Sequence, residues 1–302
     1  MCIRDSYYDS DWLRHNCYTL KSKKTYISPY FLWDHSIESN FEDIQIDYKE
    51  IISGDDGIKK WLEQLHYKGI SIVKNAPTDK ESGFDVIANI SHHRETFFKT
   101  PFEVIDIPNP NNSAYTAAAL RNHLDLPYYE IAPGYQFLHC LINNASGGES
   151  VAVDGFKVAS YMKANYIEYF ETLLETPVKF VNRDYTSNAI RVMHKPLFSL
   201  DHNNDFNDIR FSVAYMGVMD CDPNQMDKFY EAYRKLIALL HDPKFEINFR
   251  LKAGDIFSFN NRRVLHGRKE YDANSGERHL QGYYIDRDEI IGRLNFLNKI
   301  NP

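Results

Sequence analysis

Apolar positions follow two different spacings along this chain. Between residues 55 and 69, Ile58, Trp61, Leu62 and Leu65 recur every three or four positions and the run ends at Gly69, predicting an amphipathic helix with a left-handed cap, then a strand over 70–74. Phe84, Ile87, Ile90, Arg94 and Phe98 predict a second helix between Lys80 and Lys99, terminated by Thr100-Pro101. A third is expected over 156–174. In the fourth, Asp222 caps, Pro223 takes the first helical position, and Met226, Phe229, Tyr230, Tyr233, Leu236, Ile237 and Leu240 form the apolar face. Elsewhere short apolar runs punctuated by turn residues predict strands over 121–126, 135–142, 149–154, 190–194, 209–215, 245–251, 255–260 and 279–286. Many strands with few helices imply a mainly β fold with flanking helices, a sandwich or double-sheet barrel. No repeat, low-complexity tract or linker divides the chain, so residues 51–302 are expected to form one unit behind a lead-in segment over 1–50. Within that lead-in, Met1–Ser6 reads like translated adapter sequence.

Composition narrows the class. With 302 residues the chain is long enough to bury a sizeable core, and 21 Tyr and 19 Phe supply rings for a core or for pocket walls. A net charge of −7 with no basic block argues against nucleic acid or anionic membrane as a partner and leaves a small molecule. Cys2, Cys17, Cys140 and Cys221 are scattered without zinc or disulfide spacing, the N-terminus lacks a signal-peptide core, and no apolar run spans a bilayer; a cytoplasmic protein is expected.

The chemistry is concentrated in a few residues. His123 and Asp125 stand two apart in a predicted strand, which places both on one face, and His266 follows in the distant segment Val264-Leu265-His266-Gly267. Two histidines and one carboxylate hold Fe(II) on one side and leave the other open. With 12 His and 25 Asp, chance alone supplies about one His-x-Asp pair, so context has to decide. The same spacing in His93-Arg94-Glu95 falls in a predicted helix, where it does not suit chelation. Arg278 opens another predicted strand after His266, and its guanidinium suits the far carboxylate of a dicarboxylic keto acid.

Together with the segments Asn111–Thr116, Pro133–Cys140, Gly147–Ser150 and Val153–Phe156, in that order, this set resembles the gamma-butyrobetaine and trimethyllysine dioxygenases of the taurine dioxygenase-like superfamily. The likeness runs from about Tyr8 to Asp288. It implies a double-stranded β-helix, or jelly roll, with His123, Asp125 and His266 on Fe(II), Arg278 on 2-oxoglutarate, and Asn112 adding a polar contact. It also implies oxidative decarboxylation of 2-oxoglutarate with O2, coupled to hydroxylation of a small substrate, in a homodimer. Asp11–Tyr18 resembles the stretch where that family leaves a small N-terminal zinc-binding domain, so either a truncated reading frame or a member without that domain is expected.

The family binds a trimethylammonium group in an aromatic cage, because a quaternary cation offers no donors and ring faces attract it best. Phe98, Phe102, Tyr115 and Tyr284 match the cage positions, with Phe98 and Phe102 expected one turn apart at a helix end. The resemblance therefore implies gamma-butyrobetaine hydroxylation to L-carnitine. One segment departs: after Ile209-Arg210 the family shows an Asn-rich stretch at the substrate carboxylate, where this chain has Phe211-Ser212-Val213-Ala214-Tyr215. The same chemistry on trimethyllysine or another small amine or acid, or a jelly-roll betaine-binding protein without turnover, are the alternatives.

Overall fold

A computed structural model describes residues 7–15, 17, 30–106, 116–185 and 187–298. The strands are β1 Gln45–Asp47, β2 Ile70–Lys74, β3 Phe102–Val104, β4 Leu120–His123, β5 Tyr135–Asn143, β6 Ser146–Gly147, β7 Ser150–Asp154, β8 Val178–Asp184, β9 Ala189–Lys195, β10 Phe198–Leu200, β11 Phe206–Ile209, β12 Glu246–Phe249, β13 Ile256–Asn260, β14 Val264–Arg268, β15 Tyr271–Asp272 and β16 Arg278–Ile285. Two sheets form the body: a six-stranded one ordered β1-β2-β13-β5-β16-β3 and a four-stranded one ordered β12-β7-β14-β4. Only β1 and β2 pair in parallel; the other pairs in these two sheets are antiparallel. The architecture is a jelly roll with helices on its outer faces.

Strand alternation decides what each face carries. Ile70, Ile72, Cys140, Phe257, Phe259 and Leu280 of the large sheet meet Ala152, Ile247, Phe249 and Val264 of the small one, which fills the space between them. The outer face of the large sheet takes Val73, Phe137 and Tyr283 and is covered by Trp61, Leu62, Ile87 and Ile290 from helices. Val153 and Leu265 turn out of the small sheet onto the helices Gly155–Asn165, Ile167–Glu175 and Pro223–Leu240. Residues 33–47 are built into the same body: Trp33, Ile37 and Ile44 are buried beneath the small sheet's apolar positions, and β1 extends the large sheet.

The helix ending at Gly69 forms as expected, running Asp55–Glu63 with a final π turn over Gln64–Lys68 and Gly69 at φ 73°. The helix from Asp222 also forms, with the Asp222 side chain accepting from Asn224 N. Three expectations need correction. The helix between Lys80 and Lys99 covers only Ser82–Ala88, because beyond it the chain bonds elsewhere: Arg94 N donates to Tyr284 O, and the Arg94 guanidinium binds Asp286 and Ile131 O. His93 is therefore not helical; its ring stacks 4.0 Å from that of Phe84. The helix over 156–174 is broken at Tyr166, whose ring packs on Tyr169 and lies under Lys235. The strand over 209–215 stops at Ile209, because past Arg210 the backbone changes partner, with Phe211 O accepting from Leu124 N, and Val213–Tyr215 curls into a 3-10 turn. The helix Arg287–Leu297 and the hairpin β8–β9, beyond the part expected at 190–194, were not foreseen.

Candidate active site

β14 and β4 pair with His266 directly opposite His123, so their rings meet inside the jelly roll 4.4 Å apart. β4 ends at His123 rather than continuing to residue 126. Leu124 N donates to Phe211 O, Asp125 N donates to the Asn261 side chain, and Leu126 takes φ 57°, which turns the chain away from the sheet. Asp125 still converges with its expected partners: its Oδ1 lies 3.3 Å from His123 Nε2 and 4.0 Å from His266 Nε2. These ligand atoms all fall within 4.8 Å of one another, the only such His/Cys/Asp/Glu group among the described residues.

The surrounding bonds orient the set for a cation. His123 Nδ1 donates to Arg121 O at 2.8 Å, which turns its Nε2 toward Asp125 and His266. The Tyr284 hydroxyl donates to Asp125 Oδ2 at 2.6 Å, leaving Oδ1 toward the histidines. Burial pushes His266 down to about 3, reinforced by the neighbouring His123, so its imidazole is neutral and able to ligate. Burial opposes charge on Asp125, but the bond from His123 outweighs it and, with the Tyr284 hydroxyl, holds the carboxyl below its usual range. Burial opposes charge on His123, but the bond to Asp125 and that carboxylate's charge outweigh it and raise its pKa, so a metal would take the place of a proton there. Two imidazoles and one carboxylate on one side fit an octahedral divalent iron, whose other positions would face the pocket.

That pocket has a volume of about 300 Å³, at the small end for ligand sites. Phe98, Phe102, Tyr128, Tyr215 and Tyr284 form ring walls around His123 and Asp125. Phe102 stacks on Tyr284 at 5.0 Å, and Phe98 meets Phe102 at 6.2 Å. Phe98 and Phe102 thus converge as expected, although Phe102 reaches the pocket from β3 and not from a helix. Asn112 and Tyr115, like Met1–Ser6, lie outside the described residues. Tyr128 and Tyr215 were missed; Tyr128 follows the ligand segment by three residues and was legible there, whereas Tyr215 depends on the 3-10 turn.

Arg278 stands at the other end of the inward face, bordering a separate opening with Ile105, Ile142 and Tyr271. Burial and nearby Arg268 lower its pKa to about 10. Arg268, also missed, is buried, and β14 pairs regularly with β7, so Arg268 shares its inward face with His266. Both guanidinia lie over the Tyr271 ring, at 4.9 Å for Arg268 and 5.7 Å for Arg278, and the Nε of each is buried without a partner. Gly148, at φ 73°, takes the left-handed backbone that passes beside Tyr271 and Arg278. Orphaned guanidinium donors beside a side-chain-free backbone fit a carboxylate ligand.

Residues 33–284 match the family described as taurine catabolism dioxygenase TauD, TfdA. The chain belongs to that family. It is 36% identical over 253 residues to a gamma-butyrobetaine dioxygenase from Pseudomonas sp. (strain AK-1), covering 84% of this chain and 66% of that protein. It is 30% identical to the human gamma-butyrobetaine dioxygenase, covering 97% and 77%, and 29% identical to the mitochondrial trimethyllysine dioxygenase of Mus musculus, covering 96% and 69%. Two solved structures share the fold: an asparagine oxygenase in complex with Fe(II), 3-hydroxyasparagine and succinate (TM-score 0.58, 14% identity, 80% of this chain and 93% of that one), and the non-heme iron oxygenase OrfP with Fe and alpha-ketoglutaric acid (0.59, 14%, 77% and 80%). Among the described residues of this TauD-family chain, no helix is long and apolar enough to cross a membrane.

Proposed function

We propose that this chain is an Fe(II)- and 2-oxoglutarate-dependent dioxygenase that hydroxylates a small quaternary-ammonium zwitterion, gamma-butyrobetaine to L-carnitine. The carrying observation is an aromatic-walled pocket lined by His123 and Asp125, two of the three residues in the His123, Asp125 and His266 set. When bound, iron and 2-oxoglutarate supply the oxidising chemistry, using O2 and releasing succinate and carbon dioxide. His123 and His266 would give Nε2 to the metal and Asp125 would give Oδ1, while Arg278 takes the far carboxylate of 2-oxoglutarate. Tyr284 serves twice in this reading: its hydroxyl steadies Asp125, and its ring offers a face to the trimethylammonium group. Phe98 and Phe102 supply two more faces and exclude water from the reacting carbon. Asn112 and Tyr115 keep their expected roles as a cosubstrate contact and a fourth ring. A cytosolic setting and a homodimer belong to the same reading and are tested by fractionation and light scattering.

The test is anaerobic Fe(II) loading followed by succinate and hydroxylated-product detection on exposure to air with gamma-butyrobetaine. Succinate rising with the betaine is expected; no stimulation by any betaine would overturn the reading. A second reading rests on a specific observation: the pocket wall at Ser212-Val213-Ala214 offers no side-chain amide for a substrate carboxylate. It assigns the same chemistry to trimethyllysine, and competition between the two substrates read by mass spectrometry distinguishes them.

A further inference from the structure

The inward end of the jelly roll is more positive than one arginine requires. Arg268, on β14 two residues beyond His266, and Arg278, on β16 of the opposite sheet, approach the same Tyr271 ring from two strands. Arg250 stands nearby but exposed, spending its donors on the carbonyls of Asn143, Ala145 and Gly147 in the turn before β7. Neither Arg268 nor Arg278 makes an ion pair among the described residues, and the Nε of each is buried without a partner. Asp106 is the carboxylate whose field reaches Arg268, from beyond ion-pair distance. Gathering unneutralised guanidinia under cover costs folding energy unless an anion joins them.

Arg268 differs from Arg278 in what else it holds. One of its terminal nitrogens donates to the carbonyls of Thr116 and Ala118, each at 2.6 Å, and Tyr271 N donates to Ala117 O at 3.1 Å. The clasped residues lead within a few positions into β4 and so to His123. One guanidinium therefore reaches toward both the anion end and the backbone that delivers a metal ligand.

Resting on the proposed 2-oxoglutarate reading, we infer that Arg268 is a second arginine of the cosubstrate site, a positioning residue whose charge makes the site select dicarboxylic over monocarboxylic 2-oxo acids. Arg278 meets the far carboxylate as a bidentate fork, and Arg268 supplies the remaining field and holds the Thr116–Ala118 wall against it. A 2-oxo acid without the far carboxylate leaves both guanidinia unneutralised and gains nothing from Arg268.

The experiment measures calorimetric binding of 2-oxoglutarate and of 2-oxobutyrate to the Mn(II)-loaded full chain, without oxygen and without turnover. Wild type is expected to prefer the dicarboxylate strongly. Arg268→Gln should weaken 2-oxoglutarate binding about tenfold, about 1.4 kcal/mol, and leave 2-oxobutyrate almost unchanged, while Arg268→Lys should recover part of the preference. If Arg268→Gln lowers both affinities equally, or lowers only the melting temperature, the residue is merely structural and the inference falls. Because Arg268→Gln also frees the Thr116 and Ala118 carbonyls, a variant that does not fold is replaced by Arg268→Lys, which keeps the charge: most of the wild-type preference should remain, and a folded Lys variant that has lost the preference overturns the charge role. If wild type binds neither acid, the cosubstrate reading itself fails.

Discussion

Asn261 is the residue through which the fold places Asp125, and its removal gives a sharp test. Its side chain is fully buried; Oδ1 accepts from Asp125 N at 2.9 Å, while Nδ2 donates to Asp125 O and Pro133 O, each at 3.1 Å. Both backbone groups of the carboxylate ligand thus hang on one amide. Asn261→Leu keeps most of the volume and strands three backbone groups; at about 1–3 kcal/mol for each unpartnered buried group, less what relaxation recovers, the total is on the order of 3 kcal/mol. Stability of about 5–15 kcal/mol tolerates that loss, so the variant should fold. Asn261→Asp keeps the acceptor for Asp125 N but turns an oxygen toward two carbonyls. Both variants should bind Mn(II) about 10–100-fold more weakly, as is typical when a partner behind a ligand is lost. Titration calorimetry gives the affinity and chemical denaturation the stability. Lowered stability with unchanged metal affinity would show that Asp125 finds its place without Asn261.

Three further outcomes are expected. Arg263→Met removes the cation from Asp154, with both residues wholly buried and paired at 2.7 Å, and also strips donors from the Tyr67 and Phe31 carbonyls; a loss of about 3–5 kcal/mol in urea unfolding is expected. A loss within error would mean that the pair carries no stability. Burial, with Arg287 and Arg263, lowers His66 to about 4 from 6.5, so between those values the unfolded chain binds a proton that the folded one refuses. Stability should therefore decline as pH falls through that window, by about 1.4 kcal/mol per unit, and a His66→Gln melting curve that keeps the full decline would assign it elsewhere. Tyr284→Phe keeps the ring but removes the donor to Asp125, a charge-assisted bond worth about 1.5–3 kcal/mol, so metal affinity should fall while betaine affinity of the metal-loaded protein holds; the reverse pattern would make Tyr284 a cage residue alone.

The sequence by itself determined the parts whose physics is local. Three-and-four spacing ending at a glycine gave the helix before β2, an Asp-Pro start gave the helix at Pro223, and short runs between turn residues gave most strands of the two sheets. Residue types restricted the chemistry as well, since few sets other than two histidines and a carboxylate suit this iron geometry. Tertiary structure decided whatever depends on a bond between distant residues. Arg94 sends its donors across the fold and Phe211 O accepts from Leu124 N, which end one expected helix and one expected strand early. Asp125 leaves its strand because Asn261 and not β14 receives its amide. Periodicity also could not reveal that Tyr284 clamps a ligand, or that Arg268 faces Arg278 across a ring, because those meetings arise only when strands far apart in sequence close into one roll.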